Sequence, residues 1–176
     1  ESRRVLGDTM LTGNDIFEAK LFEDRVSHGG WPVDVHPPEG LRSKDPPCDQ
    51  TFLNELYSVP FSIMYSRNIK NLMLAGRCIS VSHVAMGSTR VMNSLGAAAQ
   101  AVGMAAALCI EKKVDPREIR EKHVAELQQG LLKEDVYIIS LSNNDAKDLA
   151  RQATVTTLSE ASLSMEKADG FVELAY

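Results

Sequence analysis

Apolar positions change rhythm several times along the chain, and each rhythm predicts a different element. Thr12-Gly13-Asn14-Asp15 has the spacing of a capping box, with Asp15 three residues after the capping Thr12, and predicts a short helix to about Leu21. Over residues 24–49 that period is lost. Gly29-Gly30, Pro32, Pro37-Pro38 and Pro46-Pro47 surround an alternating Trp31, Val33, Val35, which reads as one short strand followed by a loop. Pro60 with the alternation at Phe61 and Ile63 predicts a second extended piece, and residues 68–71 a turn. Leu72-Met73-Leu74-Ala75 is wholly apolar and stops at Gly76, the pattern of a strand buried on both faces, such as a central parallel strand.

Downstream the period is helical. Gly87-Ser88-Thr89 opens an Ala-dominated, proline-free stretch over 88–111 that predicts one helix of ~36 Å, with Gly96, Gln100, Gly103 and Ala107 forming a small-residue stripe suited to close approach by a sheet or a flat ligand. Its core, 91–110, is marginal as a membrane span. It carries Asn93, Ser94 and Gln100 among Ala and Gly, and reads as a buried helix instead. Asp115-Pro116-Arg117-Glu118 is a second helix start, with a cap, a proline at the first position and an acid at the third. That helix is expected to reach Gly130, with Ile119, Val124, Leu127 and Leu131 on its apolar face. A shorter helix is expected over 144–152, then strand-like pieces at 154–157 and 171–174.

Composition narrows the classes. The chain has 176 residues, 44% hydrophobic and 24% charged, with 19 basic against 24 acidic residues and a net charge of −5. This describes a globular chain of one domain or slightly more, and it excludes collagen, coiled coil and disordered tail. No basic stripe exists to meet nucleic acid or an anionic membrane. Cys48, Cys78 and Cys109 are odd in number and form no C-x-x-C pair, so no disulfide framework is expected, and Cys109 reads as a small buried hydrophobe. Glu1-Ser2-Arg3-Arg4 leads into no apolar h-region and there is no initiator Met, so the chain is read as part of a longer protein, with its compartment open.

Candidate chemistry gathers around residues 71–110. A buried strand ending at Gly, followed by a helix start flanked by Gly and Ser, offers unpaired N–H groups and a helix dipole to an anionic ligand, although a Ser at such a place is most simply a cap. No G-x-G-x-x-G, P-loop, G-x-S-x-G or H-E-x-x-H motif occurs. His28, His36, His83 and His123 have no metal-ligand spacing. His36, after Trp31-Pro32-Val33-Asp34-Val35, is the first candidate for proton transfer, and His83, in the loop before the long helix, the second. Arg90 falls in the first turn of the expected helix, a poor place for a cation unless an anion is near; the alternative is an ordinary surface ion pair.

Several ordered blocks carry a resemblance. Residues 71–80, His83-Val84-Ala85-Met86-Gly87-Ser88-Thr89-Arg90-Val91-Met92, Gly96 and the run from Gly103 to Ala107, together with Glu1 to Asp8, Leu11-Thr12 with Asp15-Ile16, and Gly29 to His36, look like the C-terminal part of the bacterial FAD-dependent oxidoreductase family. The resemblance implies an α+β chain: the closing strand and long helix of a Rossmann-like FAD-binding domain, part of an antiparallel-sheet substrate domain, and a mostly helical C-terminal segment. The implied parts are a helical segment adjoining the FAD domain over 1–23, substrate domain over 24–66, FAD domain over 67–113, a helical segment over 114–152, and a tail or truncated β domain over 153–176.

By the same resemblance, hydride passes between a small-molecule substrate and FAD. The ADP part of the cofactor is held by an N-terminal half that this sequence lacks. Gly76, Arg77 and Cys78 would lie beside the ribitol and pyrophosphate, while Gly87, Ser88, Arg90 and Val91 would bring helix N-terminal amides to the pyrimidine edge of the flavin. The wider superfamily often has an acidic residue where Arg77 stands, and Arg77 suits phosphate instead. His36 and His83 would serve catalysis, and Trp31 substrate packing. Expected partners are the absent half, the substrate and a second copy through exposed apolar surface, with no nucleic acid and no membrane span. A non-catalytic scaffold module is the alternative, with a nicotinamide-only enzyme third.

Overall fold

The computed structural model describes residues 4–154. The chain divides into two units, Glu1–Asp145 and Ala146–Tyr176. In the second, the described residues form one 3-10 turn, Leu149–Gln152, in place of the helix expected over 144–152, with Asp148 Oδ1 accepting from the Ala150 amide at 3.0 Å. Of the strand-like pieces expected beyond it, only Thr154 falls within the described residues, and it is not in a strand.

The first unit is a mixed α+β fold of two small antiparallel sheets and five helices. Helix α1 (Gly13–Phe17) begins at the expected capping box, with Thr12 N–H donating to Asp15 Oδ2 at 2.9 Å, but stops short of Leu21 because Ala19 takes a positive φ of 47°. Strand β1 (Arg25–Gly29) pairs with β4 (Tyr57–Pro60), and β2 (Val33–Val35) with β3 (Asp49–Thr51). The pattern predicts β2, but not β1 or β3, whose sequences R-V-S-H-G and D-Q-T show no apolar alternation. Gly29 lies opposite Tyr57, and a Cβ there would stand 2.2 Å from Tyr57 Oη. Glycine at that point lets the Tyr57 side chain pass close over β1, where it is fully buried. Pro60 ends β4, and Phe61–Ile63 winds into a 3-10 turn instead of continuing extended.

Two expectations fail here. Residues 72–75 form no strand buried on both faces; they make a single bridge, Met73 with Tyr65, and only Leu74 is buried. An apolar run cannot supply its own neighbours, and the described residues place no second strand beside it. Residues 88–111 are not one helix either. Helix α2 (His83–Thr89) starts at Ser82, whose Oγ accepts from the Ala85 amide at 3.2 Å, and α3 (Met92–Lys112) starts after Val91, which is extended at φ −64°, ψ 140°. Thr89 Oγ1 bonds back to the Ala85 carbonyl at 3.1 Å, a local competitor that suits a helix end.

Helix α3 packs against β1 and the following helices but buries only Ala98, Ala101 and Ala105. Gly96, Gln100, Gly103 and Ala107 all lie exposed, so this is not the buried helix the composition predicts. By length and composition alone α3 is apolar enough to cross a membrane. Cys109 is partly buried, which pushes its thiol pKa up. After α3 the expected start at Asp115 holds: its amide donates to Glu118 Oε2 at 3.3 Å and Pro116 opens α4 (Pro116–Lys122). His123 interrupts the expected helix, and α5 (Val124–Lys133) carries it on, burying Leu127 and Leu131.

A charge network ties the start of the chain to α4. Asp8 takes a two-pronged contact from Arg117, Nε to Oδ2 at 2.7 Å and Nη2 to Oδ1 at 2.6 Å, and a third bond from Tyr65 Oη at 2.9 Å. The Arg117 guanidinium holds the Asp8 carboxyl below its ordinary value of 3.8, while burial and the Asp8 charge push the Tyr65 hydroxyl up. A depressed folded-state carboxyl contributes stability above its unfolded pKa and loses it as pH falls through the folded value. Asp8→Asn is therefore expected to lower the thermal midpoint by a few degrees at pH 7. The difference from the parent chain should close as the pH drops below the usual carboxylate range, as calorimetry over pH 2–7 can check.

Candidate functional site

Helix α2 lies on β2, and Gly87 sets how closely. A Cβ at Gly87 would stand 2.9 Å from the Asp34 carbonyl oxygen, so only glycine allows the helix to rest on the strand backbone. One residue on, Ser88 is fully buried and its Oγ donates to the Trp31 carbonyl at 2.5 Å. With that proton committed, Ser88 Oγ is the acceptor of the 2.8 Å bond with Tyr57 Oη. Burial raises the Tyr57 hydroxyl to about 12, partly offset by the Ser88 bond. Gly87 and Ser88 thus face the interior, as packing and bridging residues, and their amides do not open a helix.

Arg90 is the C-cap of α2. The expected misplacement in a first turn is reversed, since a cation at a helix C-terminus meets the negative end of the dipole. Its Nε donates to the Gly87 carbonyl at 3.4 Å, and its Nη2 donates to Asp34 Oδ2 at 2.5 Å. Nη2 also lies 3.2 Å from His36 Nε2. His36 Nδ1 is 2.8 Å from the Pro47 carbonyl. A carbonyl only accepts and a guanidinium only donates, so the geometry assigns the proton of His36 to Nδ1 and leaves Nε2 as acceptor. The side chains of Asp34, Arg90 and His36 are 13%, 25% and 56% exposed, a gradient that runs from the interior to solvent.

The structure thus brings His36 and Arg90 together through Asp34, a residue that strand alternation would turn away from Val33 and toward solvent. Its signal was not in its own pattern but in the glycine 53 positions on that lets α2 cover β2. Trp31 is half-exposed, and its carbonyl is the acceptor of the Ser88 bond. His83 stands exposed at the first residue of α2, about 10 Å along the helix from Arg90 at 1.5 Å per residue. Gly76, Arg77 and Cys78 form a 3-10 turn with Gly76 at φ 78°, beside α3. Val91 supplies no capping side chain to α3, and Met92 is 87% exposed. The uncapped helix N-terminus therefore sits next to Arg90, displaced from its expected place at Ser88.

Among the described residues no group of three or more His, Cys, Asp and Glu is placed to hold a metal. Ser88→Ala is expected to cost about 1–3 kcal/mol in urea unfolding, because it strands both the Tyr57 hydroxyl and the Trp31 carbonyl. Tyr57→Phe, which leaves the Ser88 to Trp31 bond intact, should cost less in the same measurement.

No curated protein and no solved structure matches the chain. Residues 1–131, which include β1 to β4, both helices of the interrupted stretch and the Asp34, His36 and Arg90 cluster, match the family described as FAD dependent oxidoreductase. That match covers well over half of the chain, and the chain belongs to the FAD-dependent oxidoreductase family.

Proposed function

We propose that this chain forms the closing part of an FAD-binding site and one wall of the substrate cleft in a flavoprotein that moves hydride between a small-molecule substrate and flavin. The observation that carries this is the junction of Arg90 with the uncapped N-terminus of α3. First-turn amides without a side-chain cap follow directly on Arg90 there, and amides and a guanidinium are the donors that a ring system gaining negative charge would need. The residues fit such a group. Val91 gives the first-turn amides of α3 no side-chain cap, and the hydrogen bonds of Arg90 among the described residues run through Nε and Nη2. The exposed stripe of Gly96 and Gly103 has open space where a Cβ would be, which admits a flat ligand or a closely packed chain.

FAD, when bound, supplies the hydride acceptor. The chain's own residues would do the following. Arg90 and the amides after Val91 hold the pyrimidine edge, and the 76–78 turn lies along the ribitol and pyrophosphate. Gly87 and Ser88 act indirectly, by fixing α2 on β2. Trp31 packs the substrate. His36 has its Nε2 engaged by Arg90, so that nitrogen meets a substrate only when the contact gives way. His83, exposed at the far end of α2, is the weaker candidate. The adenosine part would be held by a Gly-rich turn outside this sequence, which has no G-x-G-x-x-G of its own.

The second reading is a non-catalytic scaffold whose Ala-rich helix packs on a partner subunit; a fully buried helix over 88–111 would have favoured it, and α3 buries only Ala98, Ala101 and Ala105. The test is the visible spectrum of the chain with and without FAD, beside the chain co-expressed with its upstream sequence. Flavin bound only with the upstream sequence present is the expected result; flavin bound in neither protein, both being folded, would return the scaffold reading. In the loaded protein, Arg90→Met is expected to slow flavin reduction by substrate roughly tenfold or more in stopped-flow.

A further inference from the structure

Asp34 has a role that the family match does not assign. Its Oδ2 takes the short bond from Arg90 Nη2, while its Oδ1 is buried and accepts no hydrogen bond. A buried carboxylate oxygen without a donor is costly, and the nearest cation is Arg90, three-quarters buried. The pair is therefore nearly neutral, and it is held between the backbone of β2 and the last turn of α2 in surroundings that screen it little. We infer that Asp34 is a positioning residue that orients Arg90 and balances its charge, so that Arg90 presents hydrogen-bond donors to a flavin ring without a full unit of net positive charge.

This rests on the reading that places Arg90 beside the flavin. Reduction adds two electrons and, at neutral pH, a single proton to the ring, leaving one negative charge over its pyrimidine side. A net charge next to that edge therefore moves the midpoint potential directly. Removing the carboxylate unmasks the guanidinium and favours the reduced ring. Removing the guanidinium unmasks the carboxylate and disfavours it. Removing both restores near-neutrality and avoids leaving either charge buried alone.

The experiment is a double-mutant cycle on the flavin-loaded protein, with Asp34→Asn, Arg90→Gln and the double variant, read as the flavin midpoint potential in a spectroscopic redox titration. The expected result is a positive shift for Asp34→Asn, a negative shift for Arg90→Gln, and a return of the double variant toward the parent value. If Asp34→Asn fails to retain flavin, the comparison of Arg90→Gln with the double variant decides. A double variant as low as Arg90→Gln, or an Asp34→Asn protein at the parent potential, overturns the inference while leaving Arg90 at the flavin. No shift in any variant overturns the placement of Arg90 as well. A purely structural role for Asp34 would lower stability and move no potential.

Discussion

The seating of α2 on β2 governs what the rest of the molecule can do. It depends on the absence of a side chain at Gly87, because any Cβ would meet the Asp34 backbone. Once the helix is seated, Ser88 reaches the Trp31 carbonyl and the Tyr57 hydroxyl, which ties β4 to the segment leading into β2 through α2. Two residues later Arg90 reaches Asp34 and His36. A backbone contact thus converts three residues from β2, its following loop and α2 into one polar cluster. Gly29 plays the matching part on the other sheet, by making room for the Tyr57 side chain that ends at Ser88.

The long apolar helix is the other determinant. A soluble helix normally hides its apolar stripe. α3 hides three alanines and leaves a face of glycine, alanine and glutamine open. The same helix begins, without a side-chain cap, directly after Arg90, so the exposed face and that N-terminus both follow from one element's placement.

Local chemistry was legible where a few adjacent residues decide the outcome. The capping box at Thr12, the proline-led start after Asp115 and the strand at 33–35 follow from neighbours in sequence, and they stand as expected apart from their ends. Elements that depend on partners were not legible. β1 has one large apolar residue, Val26, and becomes a strand because β4 lies alongside it. Residues 72–75 have the composition of a central strand and fail to become one for want of neighbours. The break at Arg90 and Val91 falls between Ser88, which reads as a cap, and the Ala-rich helical pattern that follows it. Ser82 is the cap instead, because the chain must turn where α2 meets β2.

By itself, the sequence determined membership of the family, the identity of His36 and Arg90 as residues worth attention, and the helix starts that short-range hydrogen bonds settle. Only the tertiary structure decided that these two side chains meet, that Asp34 lies between them, and that Gly87 and Ser88 turn inward. The physical reason is range. Caps and turns are fixed by groups three or four residues apart, whereas the charge that Arg90 presents is fixed by a carboxylate 56 residues away, brought within a hydrogen bond by the packing of a helix on a strand.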